Sequence, residues 1–475
     1  MAERQKKGAP VKESPVKGAP MGKKAEEDTK GLLDGSIRLP RLAFSLLLAA
    51  LPFVFSLPIT VQANTILAIT LFTGAMWFTE AMPLHVTALL STALLIFAGT
   101  TPKDAFSPYF APTIVLFFGG FVIARALEKH GLDQQMAKRF LSRFGKDPRF
   151  FLLGLMCVTA FLSLWMANTA ATAIMLPITL YVIKKGKMEK LKSNYAKALV
   201  LAISFASTIG GIGTIVGTPP NGITVADLAH EGISVQFFEW SYLAMPFVVL
   251  FIPITWAILL WVFPPEVETV EIDKANEPYT HEQKLVLAVS LLTIVGWVSI
   301  SVHNIADATV AICAVVALYA LGLLDTGDVS KIDWASLLMF GGGLSLGAAI
   351  ESSGLGVYLG GLLVGFVTGQ ATLLLYISVL AFTVVMTLSA SNTATAALIV
   401  PVVIPLARTL GAGVKQLGVL AGIGTSLDFI LPVGTPPSAI SYSTGYITVW
   451  DMVKSGLLIT IAGIILLALM AWLYW

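Results

Sequence analysis

A duplicated phrase constrains this chain more than any other feature. Residues 167–177 read ANTAATAIMLP, and residues 391–401 read SNTATAALIVP. Each lies in the middle of a long apolar stretch, where polar side chains are costly unless they bind something. A second pair follows, VGTPPN at 216–221 and VGTPPS at 433–438. Thr-Pro-Pro breaks a helix, because proline removes a backbone donor and crowds the preceding turn. Polar pairs and broken helices, both buried and both duplicated, form the pattern of a transport site built across two internal repeats.

Composition sets the solvent. The chain has 475 residues, 56% hydrophobic and 12% charged, with a mean hydropathy of +0.82, which makes it a polytopic membrane protein. Runs of about 20 apolar residues recur, each able to cross a hydrocarbon core of roughly 30 Å. Cys157 and Cys313 lie in apolar segments and are too few for a disulfide framework, so they are expected to pack. The Lys-rich polar segment before the first span argues against a signal peptide.

Residues 1–36 hold almost no large hydrophobes and are expected to form a disordered cytoplasmic tail. A first transmembrane helix is expected within 37–63, its apolar run covering about Leu42 to Val61. The first repeat then occupies 64–263, a hydrophilic cytoplasmic connection 264–284, and the second repeat 285–475. Within the first repeat, the apolar stretch at about 150–183 has basic clusters on both sides. Lys138, Arg139, Arg143, Lys146 and Arg149 precede it, and Lys184, Lys185, Lys187, Lys190 and Lys192 follow. A simple crossing would put one cluster outside, against the positive-inside tendency. A re-entrant hairpin from the cytoplasm, turning at Asn168 with arms of about a dozen residues, resolves the conflict. Its counterpart at about 371–407 lacks such flanks and is read as a hairpin entering from outside.

The halves overlay. Phe117 corresponds to Phe340 and Gly119-Gly120 to Gly342-Gly343 at an offset of 223, Asn168 to Asn392 at 224, and Thr218 to Thr435 at 217. Five spans per repeat is an odd number, so the second copy is inverted. The expected fold is an all-α polytopic membrane protein with about 11 transmembrane helices and two re-entrant helical hairpins in an inverted repeat. With the N-terminus inside, Lys103, Arg408 and Lys415 alone of the 30 basic residues fall outside, and Arg125 lies within the fourth span.

At a hairpin tip, the end of one short helix leaves carbonyls that suit a cation. The start of the next leaves N–H groups and partial positive charge that suit an anion. Asn and Thr at such a turn can cap the returning helix, and Thr218 and Thr435 stand where N-caps belong, ahead of prolines. Apart from Arg125, no Lys or Arg lies in the spans, so bound cations are the natural source of charge for holding an anion.

The paired Asn-Thr phrases, the paired Thr-Pro-Pro phrases and the segment Trp77-Phe78-Thr79-Glu80-Ala81-Met82-Pro83 together resemble the divalent anion/sodium symporter family, from about Leu42 to the end. The resemblance implies sodium-coupled symport of a divalent anion, a dicarboxylate such as succinate or malate, by an elevator mechanism in a homodimer of the plasma membrane. It implies a first sodium site of Ser163, Ala167, Asn168 and Gly217, and a second of Thr387, Ala390, Asn392 and Gly434. Asn168, Thr169, Thr218, Ser391, Asn392, Thr393 and Pro436 would touch the anion. Sodium would serve as coupling ion with no organic cofactor, lipid would surround the protein, and no nucleic acid is expected.

The chain departs from the family at Ala167, where Ser is usual, and at Ser438, where Asn is frequent. Asp428 is an unusual carboxylate within a span, which could assist a cation, titrate with a proton, pair with a neighbour or face a water-filled crevice. Arg125 and Glu128 can satisfy each other at i, i+3. Glu80 and His85 are expected at the membrane surface and Trp297, His303 and Asp307 at the interface, none forming a metal cluster. The competing functions are a sodium-independent dicarboxylate exchanger and a sodium/sulfate symporter. A channel conflicts with hairpins that stop at the midplane. An enzyme lacks a nucleophile–base pair or a metal motif.

Overall fold

The computed structural model describes residues 35–475 apart from 56, 145, 271–277, 368–370, 389, 390 and 433. The tail expected over 1–36 therefore lies outside the described residues up to 34, and Gly35 already opens a helix. That helix, α1 (Gly35–Val54), ends earlier than the expected Val61, because Thr60 caps α2 (Val61–Thr79) by accepting from the Ala63 N–H. Then come α3 (Leu84–Phe97), the short α4 (Pro102–Phe106), α5 (Pro112–Lys129) and α6 (Leu132–Leu141). A hairpin of α7 (Pro148–Ser163) and α8 (Asn168–Lys185) precedes a broken pair, α9 (Asn194–Ile212) and α10 (Pro219–His230), and α11 (Phe237–Val262) closes the half.

The second half runs through α12 (His281–Val298), α13 (Ile300–His303), α14 (Asp307–Ala320), α15 (Thr326–Val329), α16 (Trp334–Ser352) and α17 (Leu355–Val367). Its hairpin is α18 (Thr372–Thr387) and α19 (Asn392–Leu410), its broken pair α20 (Val414–Gly424) and α21 (Pro436–Ser443), and its last span α22 (Val449–Leu473). Among the described residues the fold is all helical, and seven helices are long and apolar enough to cross a membrane, with shorter apolar helices between them.

The hairpin arms are longer than the dozen residues expected. Asp147 caps α7 ahead of Pro148 at its first position, and α8 runs on through Lys184 and Lys185. At 1.5 Å per residue these arms span about 24 and 27 Å. Besides short turns of helix, two helices of ten residues or more escaped the sequence reading, α6 and α17, which follow corresponding spans and pack against the hairpin of their own half.

The halves interlock. Corresponding aromatic rings of α5 and α16, Phe117 and Phe340, meet edge to face at 5.1 Å. The piece after each break crosses to the other half: α10 packs on α19 and α20, and α21 packs on α8 and α9. Ser441 Oγ donates to the Val200 carbonyl at 2.9 Å across that boundary.

Charged contacts sort to two ends of the molecule. At one end Lys129 pairs with Asp325 and Asp328 at 2.8 and 2.6 Å, Lys197 pairs with Asp451 at 3.1 Å, and Lys190 donates to the Thr444 carbonyl at 2.9 Å. At the other, Arg408 pairs with Glu231 and Lys415 with Glu239, and the Trp475 indole donates to the Leu243 carbonyl at 3.2 Å. Every one of these partners falls on the same side in the expected topology. Arg125 pairs with Glu128 at 2.8 Å as expected, and also with Asp328 at 3.0 Å. Burial alone would raise the Asp328 carboxyl, but hydrogen bonds from Lys129, the Asp325 N–H and Arg125 hold it well below the usual carboxylate range.

Two smaller expectations change. Cys157 and Cys313 are exposed rather than packed, on faces turned away from the protein interior. Trp297 is buried within the protein, stacked on Phe237 at 4.5 Å with its indole donating to the Asp307 carbonyl.

Candidate functional site

The two hairpin tips carry the same small constellation. In the first, Ser163 ends α7 and its Oγ donates to Asn168 Oδ1 at 2.7 Å. In the second, Thr387 ends α18 and its Oγ1 lies 2.9 Å from Asn392 Oδ1 and 2.9 Å from the Thr425 carbonyl. Sequence suggested that Asn would cap the returning helix. It does not: Ala167 and Ser391 hold the N-cap positions without side-chain caps. Each Asn instead turns back across the hairpin to a hydroxyl five residues earlier. The Thr387 hydroxyl has one proton for two acceptors, so one of those oxygens is always left for another electropositive partner.

The first break is folded onto this pair. A β-carbon on Gly217 would stand 2.5 Å from the Gly211 carbonyl oxygen and 2.9 Å from that of Ser163. One on Gly211 would stand 2.3 Å from Asn168 Oδ1 and 3.1 Å from the Gly217 oxygen. The Ser163, Gly211 and Gly217 carbonyls and the Asn168 amide oxygen thus crowd around two glycines, a cluster of oxygens without a basic side chain. Thr214 Oγ1 donates to the Leu164 carbonyl at 2.5 Å and pins the break to the end of α7.

Asn221, unassigned in the sequence reading, clamps the first break. Its amide donates to the carbonyls of Gly211, Ile212 and Thr214 at 2.9, 3.3 and 2.7 Å, acceptors at the end of α9 and in the break after it, and the Trp240 indole shares the Ile212 carbonyl at 2.9 Å. Its presence in the VGTPPN phrase was the available signal. In the second break Ser438 is too short for that reach and bonds locally. Thr435 Oγ1 donates to Ser438 Oγ at 2.9 Å and caps α21 by accepting from the Ser438 N–H at 3.3 Å. Thr218 occupies the matching N-cap of α10 without a side-chain cap.

A line of hydroxyls ties the first turn of α8 to that of α21. Thr172 Oγ1 donates to Ser207 Oγ at 2.8 Å, Ser207 to the Ser204 carbonyl at 2.9 Å, and Ser204 Oγ lies 3.2 Å from Ser438 Oγ. Helix N-termini from opposite halves are therefore neighbours, a ready environment for negative charge. Thr169 and Pro436 are exposed, Ser391 and Thr393 half-buried, and Thr218 buried. Ala390, assigned to the second sodium site, lies outside the described residues.

A cavity of about 1040 Å³ leads to the first tip. Arg125, Glu128, His130, Lys138 and Lys331 line it at the end that carries the basic loops, and Met166 and Ala167 line it at the hairpin turn.

A membrane protein with paired hairpins and paired broken helices has the architecture of a secondary transporter. Residues 38–475 match the family model described as the sodium:sulfate symporter transmembrane region. The chain is 34% identical over 438 residues to an uncharacterized transporter of Haemophilus influenzae, covering 88% of this chain and 93% of that one. It is 32% identical over 442 residues to the sodium-dependent dicarboxylate transporter SdcS of Staphylococcus aureus, covering 86% and 85%. Among solved structures, the Alcanivorax borkumensis YdaH transporter matches with a TM-score of 0.56 at 15% identity, over 86% of this chain and 99% of that one, a likeness of fold. The chain belongs to the sodium:sulfate symporter family, the divalent anion/sodium symporters.

Proposed function

We propose that this chain couples sodium to the symport of a divalent anion, with a dicarboxylate such as succinate or malate as substrate. The observation that carries the reading is the matched Ser163–Asn168 and Thr387–Asn392 pairs, each held at a helix end beside backbone carbonyls. Sodium takes such oxygens without needing a carboxylate in the first half-site, and the bound cations supply charge that the helix N-termini give only in part. On this reading Ser163, Ala167, Asn168 and Gly217 hold one sodium, and Thr387, Ala390, Asn392 and Gly434 hold another. Asn168, Thr169, Thr218, Ser391, Asn392, Thr393 and Pro436 face the anion. The similarity to SdcS favours dicarboxylate over sulfate.

The protein works as a homodimer in the plasma membrane with its N-terminus in the cytoplasm. Movement of the hairpins and broken helices exposes the site alternately to each side. The cavity that reaches Ala167 from the basic end fits a conformation open to the cytoplasm.

The test is uptake into liposomes containing the purified protein. Labelled succinate is expected to enter only with an inward sodium gradient and to be competed by malate more strongly than by sulfate. Uptake that needs internal succinate but no sodium would make the protein an exchanger. Sulfate displacing succinate would make it a sulfate symporter.

Ala167 gives a finer prediction. It stands at the N-cap of α8 and lines the cavity, whereas its counterpart Ser391 keeps a hydroxyl. Ala167→Ser adds one oxygen at a position that favours serine, so half-maximal uptake is expected at lower sodium with the preferred anion unchanged. A changed anion preference with the same sodium titration would move Ala167 into the anion pocket.

A further inference from the structure

The offset that relates Thr218 to Thr435 also relates Gly217 to Gly434 and Gly211 to residue 428. In the first half, position 211 looks straight into the oxygen cluster, since a side chain there would run into Asn168 Oδ1 and the Gly217 carbonyl. In the second half the same position carries Asp428. Its side chain is 1% exposed and lies flat against Gly434, where a β-carbon would stand 1.7 Å from Oδ2 and 2.7 Å from Oδ1. Glycine at 434 is therefore what gives the carboxylate its room.

Among the described residues neither Asp428 oxygen has a hydrogen bond of normal geometry. The Ile430 N–H faces the carboxylate, and the buried Ser426 hydroxyl two residues earlier is also without a partner. None of the ion pairs at either end of the molecule reaches it. A buried carboxylate left alone is strongly disfavoured, and its natural partner is a cation. The Thr425 carbonyl, already within reach of Thr387, belongs to the same unwound segment.

We propose that Asp428 is a carboxylate ligand of the second cation site, so that this half-site meets its sodium with a full negative charge while the first uses neutral oxygens alone. The proposal rests on the sodium-symport reading. It makes the half-sites unequal in order as well as strength. The second fills at low sodium and is close to neutral once filled, and the first supplies most of the positive charge that holds the anion. Removing the Asp428 charge must therefore weaken sodium binding and strengthen anion binding at saturating sodium, two changes of opposite sign.

The experiment compares the full-length protein with Asp428→Asn, using equilibrium binding of radioactive sodium in detergent without anion, and succinate uptake across a sodium titration. Loss of one charged ligand is expected to raise the half-saturating sodium by about tenfold or more, with a lower succinate KM at saturating sodium. Should Asp428→Asn fail to fold, Asp428→Ala combined with Gly434→Ala restores the lost volume. Gly434→Ala alone is expected to fail, because its methyl would collide with Asp428. Unchanged sodium binding in either Asp428 variant would overturn the proposal while leaving symport intact. Sodium-independent uptake by the unaltered protein would instead remove the symport reading itself.

Discussion

Asn168→Ala and Asn392→Ala are each expected to abolish sodium-coupled uptake. The two side chains hold equivalent positions, each returning across its hairpin to a hydroxyl at 2.7 or 2.9 Å. Each is proposed to serve a cation and the anion together, so one truncation removes two contacts. Loss of a single hydrogen bond to a charged group costs about 1.5–3 kcal/mol, which is roughly tenfold or more in affinity. On the proposed symport reading a half-loaded site does not move, which multiplies that loss. Uptake of labelled succinate at low sodium and low substrate is the measurement. Normal uptake by either variant would break the assignment of shared ligands.

Gly211→Ala is expected to have a comparable effect by steric means. Its methyl would stand 2.3 Å from Asn168 Oδ1, and α9 is buried along nearly its whole length, so the backbone has nowhere to retreat. Overpacking of this kind costs about 1–3 kcal/mol, and the strain falls on the Asn168 amide. The variant should insert and assemble but show a much higher half-maximal sodium concentration. Gly361→Ala is the control, because a methyl there meets nothing within 4 Å. Equal sodium titrations for both variants would show that position 211 does not bear on the cation.

The membrane class, the helical hairpins and the breaks were legible because their signals are extreme. Asn-Thr inside an apolar run and basic clusters on both flanks admit few other readings. Local detail was less legible for a physical reason. Whether Asn168 caps its helix or reaches back to Ser163 depends on the path of a four-residue turn, which composition does not encode. Asn221 was visible in its phrase, yet its role as a clamp needs the three carbonyls that only the folded break brings together. α6 is short and polar enough to suit a connecting segment, whereas α17 is apolar but at 13 residues too short to read as a span of its own.

The crossing of α10 and α21 to opposite halves also bears on biosynthesis. Translation delivers the first hairpin and its break well before Pro436–Ser443 exists. Until then α8 and α9 lack the helix that packs on both of them, and the hydroxyl line from Thr172 ends at Ser204 with no Ser438 to meet. The first half is thus made with this polar seam still open, to be closed only once Pro436–Ser443 follows. Packing around the first hairpin is therefore complete only when the break of the second half has been made.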